Sequence, residues 1–560
     1  MSGYVLRRSL LSLLTLGAIL VVAGGVVVAL GVPVWIPAIV AVVLIAVQYM
    51  LNPLLMQWLV PATRIPATPD GSGYETDHAL GAIVARRCRE AGIPLVRLGV
   101  VDDGTPNAFT FGHYRSDARV WVTRGLLERV DERELDAVVS HEIGHVVHHD
   151  FVVMTFAAGI PVLAYYAMLA ARSNRGKDSL PVLIGAYAVY VLSTLVVLAL
   201  ARARETAADH HSCDVTGDGD ALCSALVKIA YGMGQVKAAE EAQAHDLLAT
   251  SKEGRSNRQA GREVAVARQR QHRIQSMRVM GIADPNQAAA VTLALEEGVA
   301  PEDVLGALAW EAVNPWARFQ ELLSSHPIVV HRIASLERSG LPGAPTAWHA
   351  TRAEESAGDP EVRRARRRFP AELVVRFAGP AALLAAILAY YGARRSPAAG
   401  WCLLAAGFLF GVKALLRHPP AHHEPVDRLT SLLGRLDASP VTGLAVSLRG
   451  RVIGRGTPGY VLSPDLVIQD GSGFVPLLYR QPIPLSRALF GLLRAGEYRD
   501  QEVLARGWYR RSPAPVVELR DIVAADGLRS RSWQWAFDYL VAAGAALLGV
   551  LVIVAHLAAR

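Results

Sequence analysis

Seven runs of about twenty mainly apolar residues interrupt this 560-residue chain, and they constrain its fold more than any other feature. A helix of roughly that length crosses the hydrocarbon core of a bilayer while satisfying its own backbone N–H and C=O groups. The runs lie at 10–32, 33–51 (extending toward residue 60), 151–170, 180–201, 373–391, 398–416 and 537–559. Charged residues make up 19% of the chain, against a usual share of about 25%. A disordered chain, a disulfide scaffold and an all-soluble enzyme are therefore disfavoured. Cys88, Cys213, Cys223 and Cys402 form no CxxC pair, so neither a zinc ribbon nor an oxidising compartment is indicated. The first run follows Arg7 and Arg8 as a secretory leader would. It lacks a small-x-small cleavage site and a second run follows at once, so it reads as a retained span.

Lysine and arginine near the span ends set the orientation. With the N-terminus in the cytoplasm, only 6 of 57 such residues fall outside. Arg7 and Arg8, the run Arg363, Arg364, Arg366, Arg367 and Arg368, and Arg529 and Arg531 all lie on the inner side. The short loops at 172–177 and 394–395 run against the rule. About 61–150, 202–370 and 417–535 are then cytoplasmic. The net charge of +7 comes mostly from arginine beside apolar runs, which fits an anionic lipid surface better than nucleic acid.

The chemistry centres on His141-Glu142-Ile143-Gly144-His145. Asp131 and Glu134 form a capping-box pattern, and Leu135, Val138, Val139, Ile143 and Val146 recur at helical spacing. His141 and His145 then share one helix face, where both imidazoles reach one zinc ion, and Glu142 is placed to take a proton from the water it activates. His148 and His149 read better as polar residues near the membrane surface. A catalytic zinc needs a third protein ligand and an open position. Glu205 and Asp209, also i and i+4, supply a carboxylate ligand and a carboxylate able to hold a histidine from behind. The competing reading pairs Glu205 with an arginine, and His210 and His211 are weaker ligand candidates. The spacing to the apolar runs is informative. His145 stands six residues before the third run and Glu205 four after the fourth, so one membrane hairpin brings both to the same face.

These motifs resemble those of the HtpX-like membrane zinc metalloproteases, relatives of the CAAX prenyl proteases. His141 to Asp150 has the form HExxHxxxxD, and Arg204-Glu205-Thr206-Ala207-Ala208-Asp209 the form RExxAD. Asn107-Ala108-Phe109 matches a segment ahead of the active-site helix, and Val120-Trp121-Val122-Thr123 the strand that follows it. Ser325-His326-Pro327 with Arg332-Ile333 matches a late segment. The resemblance covers about 61–340 and implies a cytoplasm-facing catalytic domain with one zinc per chain on His141, His145 and Glu205. It also implies an edge strand at Asn107, Ala108 and Phe109 that pairs with extended substrate. His326 or Arg332 is then the candidate stabiliser of the oxyanion. Read from the residues alone, Asn107 also suits a turn, and His326 a helix cap.

Residues 341–560 exceed the family pattern. Short β-rich runs at 444–448, 459–468, 475–479, 503–509 and 516–522, punctuated by Gly, Pro and Asp, suggest a small barrel of OB type. Its arginines and aromatics could stack bases, but placement between spans favours a protein-contact or membrane-apposed module.

The expected fold is an α-helical polytopic membrane protein with a mainly α (α+β) zincin-type catalytic domain and a small all-β C-terminal domain. The expected division is two N-terminal spans (1–60), catalytic parts at 61–150 and 202–340 around a membrane hairpin (151–201), and a basic linker (341–372). Two spans (373–416), the β-rich domain (417–535) and a last span (536–560) follow. The expected activity is zinc-dependent endopeptidase action on membrane or membrane-proximal proteins. The alternatives are an inactive membrane scaffold, or a partner- or nucleic-acid-binding protein acting through the barrel.

Overall fold

A computed structural model describes residues 33–154, 180–229 and 309–558, except 34, 105, 356–357, 393–396, 456–463 and 513, together with positions 157 and 161. The first apolar run, most of the third and the polar stretch 232–283 lie outside the described residues. Two compact units are present: one holds the described residues to 229 together with 319–351, the other 309–318 and 352–558.

The first unit begins with α1 (Trp35–Leu59), a 25-residue apolar helix. Its bulky side chains, among them Ile39, Val43 and Leu54, are exposed, as lipid-facing side chains would be. A four-stranded sheet follows, made of β1 (Thr63–Ile65), β2 (Arg97–Val101), β3 (Ala108–Phe111) and β4 (Arg119–Thr123) in the order β1-β2-β4-β3. β2 and β4 are parallel, while β3 lies antiparallel to β4 at the edge. Alternation splits β3. Phe109 and Phe111 pack edge-on against Trp121, at 5.9 and 4.7 Å between ring centroids, and Thr110 points toward the helix that packs on β3.

That helix is α3 (Glu132–Val147). Its start is fixed as the sequence predicts: the Asp131 side chain accepts from Glu134 N, and Glu134 accepts from Asp131 N. α3 packs on α2 (Ala79–Glu90) and on α4 (Leu180–Thr216), a single 37-residue helix. Arg87 Nε donates to Asp136 Oδ1 at 2.7 Å, tying α2 to α3, and Ser212 Oγ donates to Ala137 O at 2.7 Å, tying α4 to α3. Gly144 permits the close approach. A Cβ there would lie 3.3 Å from Ala208 Cα and 3.1 Å from the His211 ring. α4 changes character along its length: Leu192 and Val196 are exposed, whereas Glu205 and Asp209 are fully buried. α5 (Val329–Glu337) packs against it.

The second unit has three long helices: α6 (Pro360–Gly392), α7 (Ala398–Arg417) and α9 (Gln534–Ala558). α7 packs on both others. Gly407 lets its backbone meet α9 at Ala542 and Ala546, where no Cβ would fit. The basic run Arg363 to Arg368 lies within α6 and not in a separate linker, because the helix begins at Pro360 and runs unbroken into its apolar part. Among the described residues, four helices are long and apolar enough to cross a membrane, at Tyr187–Thr216, Pro360–Tyr390, Ala398–Arg417 and Gln534–Ala558. The protein is a multi-pass membrane protein.

Between α7 and α9 the chain closes a five-stranded barrel. Its strands are β6 (Leu444–Arg455), β7 (Leu466–Asp470), β8 (Gly473–Leu478), β9 (Glu502–Ser512) and β10 (Ala514–Ala524), with β5 (Glu424–Val426) beside β6 and β11 (Arg529–Arg531) beside β10. The ring runs β6-β7-β8-β10-β9 and back to β6, with β8 and β10 parallel and α8 (Pro484–Leu493) between β8 and β9. This is the OB-type barrel suggested by the turn spacing. Leu448, Ile468, Leu477, Tyr498 and Leu519 fill its interior.

Candidate metal centre

Two helices supply the donors. One turn of α3 separates His141 from His145, and their Nε2 atoms converge to 3.2 Å. Glu205, from α4, lies across from them: its Oε2 is 3.8 Å from His141 Nε2 and its Oε1 is 3.7 Å from His145 Nε2. All three side chains are buried. Among the described residues these three form the group whose donor atoms lie within 4.8 Å of one another. His148, His149, His210 and His211 do not join it.

The donor set fits zinc. Two nitrogens on one tetrahedral zinc, at about 2.0–2.1 Å each, stand roughly 3.3 Å apart. Glu205 Oε1 is buried and makes no hydrogen bond among the described residues, an expensive state for a carboxylate oxygen unless a cation completes it. Burial drives the His145 imidazole well below its ordinary pKa, which leaves it neutral, the form that ligates metal.

Each histidine is held from behind. His141 Nδ1 lies 2.9 Å from Asp209 Oδ1, and His145 Nδ1 lies 2.6 Å from Asp150 Oδ2. These contacts fix both rings with Nε2 facing the centre. Each carboxylate has its own cation. Asp209 accepts from Arg332 Nε at 2.8 Å and Nη2 at 2.5 Å, and Asp150 pairs with Arg204. The chain reaches Asp150 through His149 at φ 56°, a left-handed turn just past the end of α3.

Glu142 sits beside the ligands, fully buried. Thr110 Oγ1 of β3 donates to its Oε2 at 2.7 Å, and its Oε1 makes no hydrogen bond among the described residues. Burial pushes this carboxyl up from the usual range, and the neighbouring His141 and the Thr110 bond pull it back. That is the setting of a carboxylate able to take and return a proton.

The remaining candidates separate. His326 is buried with Nδ1 at 3.2 Å from Glu205 Oε2. Arg332, a sequence candidate for the oxyanion, is buried and turned onto Asp209. Asn107 exchanges hydrogen bonds with Thr123: its N–H donates to Thr123 Oγ1 at 2.8 Å, and its carbonyl accepts from Thr123 N at 2.9 Å. Ala108 and Phe109 open the edge strand. Sequence reasoning assigned no role to Thr110, Asp150 or Arg204. The last two stood inside the HExxHxxxxD and RExxAD patterns, while Thr110 carried only its place next to Phe109.

Residues 75–339 match the model of Peptidase family M48. A protease HtpX homolog from Methanothermobacter thermautotrophicus is 35% identical over 235 residues, covering 41% of this chain and 88% of that one. Another, from Moorella thermoacetica, is 32% identical over 213 residues, covering 36% and 69%. The crystal structure of S. mikatae Ste24p is a slight match, with TM-score 0.27 and 17% identity over 35% of this chain and 51% of that one. The family match stops at residue 339, ahead of α6 and the barrel.

Proposed function

Because this chain belongs to Peptidase family M48, a family of zinc metallopeptidases, we propose that it is an integral-membrane endopeptidase binding one zinc per chain and cleaving membrane or membrane-proximal proteins at the cytoplasmic face. The observation that carries this reading is the buried convergence of His141, His145 and Glu205 beside Glu142, with Glu205 on a helix that continues an apolar segment.

Zinc, when bound, supplies Lewis acidity that acidifies water and polarises the scissile carbonyl. The chain's own residues do the rest. His141, His145 and Glu205 hold the ion, with Asp209 and Asp150 keeping the two rings in register. Glu142 takes the proton at Oε1 and returns it to the leaving amine, with Oε2 steadied by Thr110. His326, whose Nδ1 lies 3.2 Å from Glu205 Oε2, is the candidate for stabilising the oxyanion. Arg332 acts through Asp209 as a positioning residue. β3, the last strand of the sheet, with Asn107, Ala108 and Phe109, pairs with an extended substrate segment, whose N–H and C=O groups extend the sheet.

The positive charge near the apolar segments supports the cytoplasmic assignment and contact with anionic lipid. The test of the substrate class is a comparison of membrane proteomes from cells carrying the wild type and Glu142→Gln. Membrane proteins with new termini only in the wild type are expected. Products confined to freely soluble proteins would overturn the assignment.

A further inference from the structure

The barrel carries a helix with one unpartnered face. α8 buries Phe490 against the barrel, where its ring stacks on Tyr479 at 3.7 Å between centroids. The opposite stripe, Leu485, Leu489, Leu492 and Leu493, is exposed, as is Ile483 just before the helix. The spacing i, i+4, i+7, i+8 puts the four leucines on one face. Leu485 and Leu493 remain 66% and 64% exposed, values unusual for leucines grouped in one patch. At ten residues α8 is too short to span a bilayer.

Its anchorage indicates what covers that face. Tyr479 Oη and Gln481 Nε2 donate to Arg531 O at 3.1 and 2.8 Å, and Trp533 N donates to Gln481 Oε1 at 3.3 Å. The Ser532 hydroxyl donates to Arg480 O. The entry to α8 is thus bonded to the three residues that precede α9, one of the membrane helices. The end of α7 reaches the same barrel: Arg417 Nη2 donates to Glu518 Oε2 at 3.0 Å, and Tyr539 Oη of α9 donates to His418 O at 3.1 Å. Arg531 lies over the rings of Trp533 and Trp535 at 4.6 and 5.9 Å, the residue types that gather at a bilayer interface. Between 480 and 500 the charges are Arg480, Arg487, Arg494 and Arg499 against Glu497 and Asp500, a net +2.

We propose that α8 is an interfacial helix whose leucine stripe enters the anionic headgroup layer of the membrane that α9 crosses. The barrel would then lie against the bilayer at three places, through α7, α9 and α8. Such helices bury their apolar face about 5–10 Å into the headgroup and acyl boundary.

The test uses the full chain in phosphatidylcholine vesicles with and without phosphatidylglycerol. Nitroxide labels are placed at Leu485→Cys, Leu489→Cys and Leu493→Cys, with Asp526→Cys on the exposed β10–β11 turn as the aqueous control. Relaxation by oxygen and by a water-soluble nickel chelate reports depth. The three leucine positions should favour oxygen, at a depth of about 5–10 Å, and move deeper when phosphatidylglycerol is present. The Asp526 label should favour the chelate in both. Leucine labels as chelate-accessible as Asp526 would overturn the proposal. So would protection that appears only at high protein-to-lipid ratio, with spin–spin broadening, since a second copy would then be the occupant. A depth independent of phosphatidylglycerol would overturn the anionic preference.

Discussion

Replacing Asp209 by asparagine should damage the protein in two separable ways. The carboxylate stands 2.9 Å from His141 Nδ1 and accepts two hydrogen bonds from Arg332, with all three side chains buried. Asparagine keeps the volume and removes the charge. Arg332 then loses the carboxylate that holds it, and breaking a buried pair this way costs about 3–5 kcal/mol. His141 also loses the acceptor that orients its ring, a change worth roughly 10–100-fold in metal affinity. Adding Arg332→Met separates the two effects. Stability of the zinc-stripped protein should recover by about 2 kcal/mol or more, because the buried cation is gone with its lost pair, while zinc affinity stays low. Asp150→Asn is the counterpart on His145. Its cation, Arg204, is a fifth exposed, so water compensates part of the loss and the stripped protein should unfold closer to wild type. Thermal unfolding of the detergent-solubilised, metal-free chain and zinc competition against a fluorescent chelator read the two effects apart. Wild-type zinc affinity in Asp209→Asn would refute the reasoning. So would a double variant that regains affinity together with stability, since Asp209 would then act only through Arg332.

Other consequences follow from single contacts. Thr110→Val should leave zinc content unchanged and lower kcat roughly tenfold or more, since a hydrogen bond to a charged group is worth about 1.5–3 kcal/mol; an unchanged kcat would remove Thr110 from the mechanism. Gly507→Ala should loosen the barrel by about 1–3 kcal/mol, because its Cβ would fall on the Glu518 carbonyl across the β9–β10 ladder, and limited proteolysis should cut there earlier than in wild type. Cysteines at Asp214, exposed near the end of α4, and at Ser173, between the third and fourth apolar runs, should react with an impermeant thiol reagent from opposite sides of the membrane; labelling from one side would remove the membrane hairpin.

Local rules carried much of this architecture into the sequence. The Asp131–Glu134 cap fixed where α3 starts, and with it the shared face of His141 and His145. The i, i+4 spacing of Glu205 and Asp209 survives as one buried face of α4. Turn-punctuated β runs anticipated the barrel, although strand lengths differed: β6 extends to Arg455, well past the run at 444–448. Tertiary partners were less legible. Asp150 reaches His145 only because the chain turns back at His149, and no periodicity signals a left-handed residue. Arg332 looked like an oxyanion donor because its charge is visible and its partner 123 positions away is not. α8 was missed among the β runs: a ten-residue helix with its apolar stripe turned outward has no core-facing pattern to betray it.

The central claim is that Glu142 moves the proton at a zinc held by His141, His145 and Glu205. The most direct measurement pairs metal analysis with turnover on the purified full chain, comparing wild type, Glu142→Gln and His141→Ala against an unfolded membrane-protein substrate. One zinc per chain is predicted for the wild type and for Glu142→Gln, with cleavage in the wild type and a loss of about 10²–10⁴-fold in the glutamine variant. His141→Ala should lose both metal and cleavage. Glu142→Gln cleaving within about tenfold of wild type, or a wild type that cleaves equally well after its zinc is removed, would contradict the account.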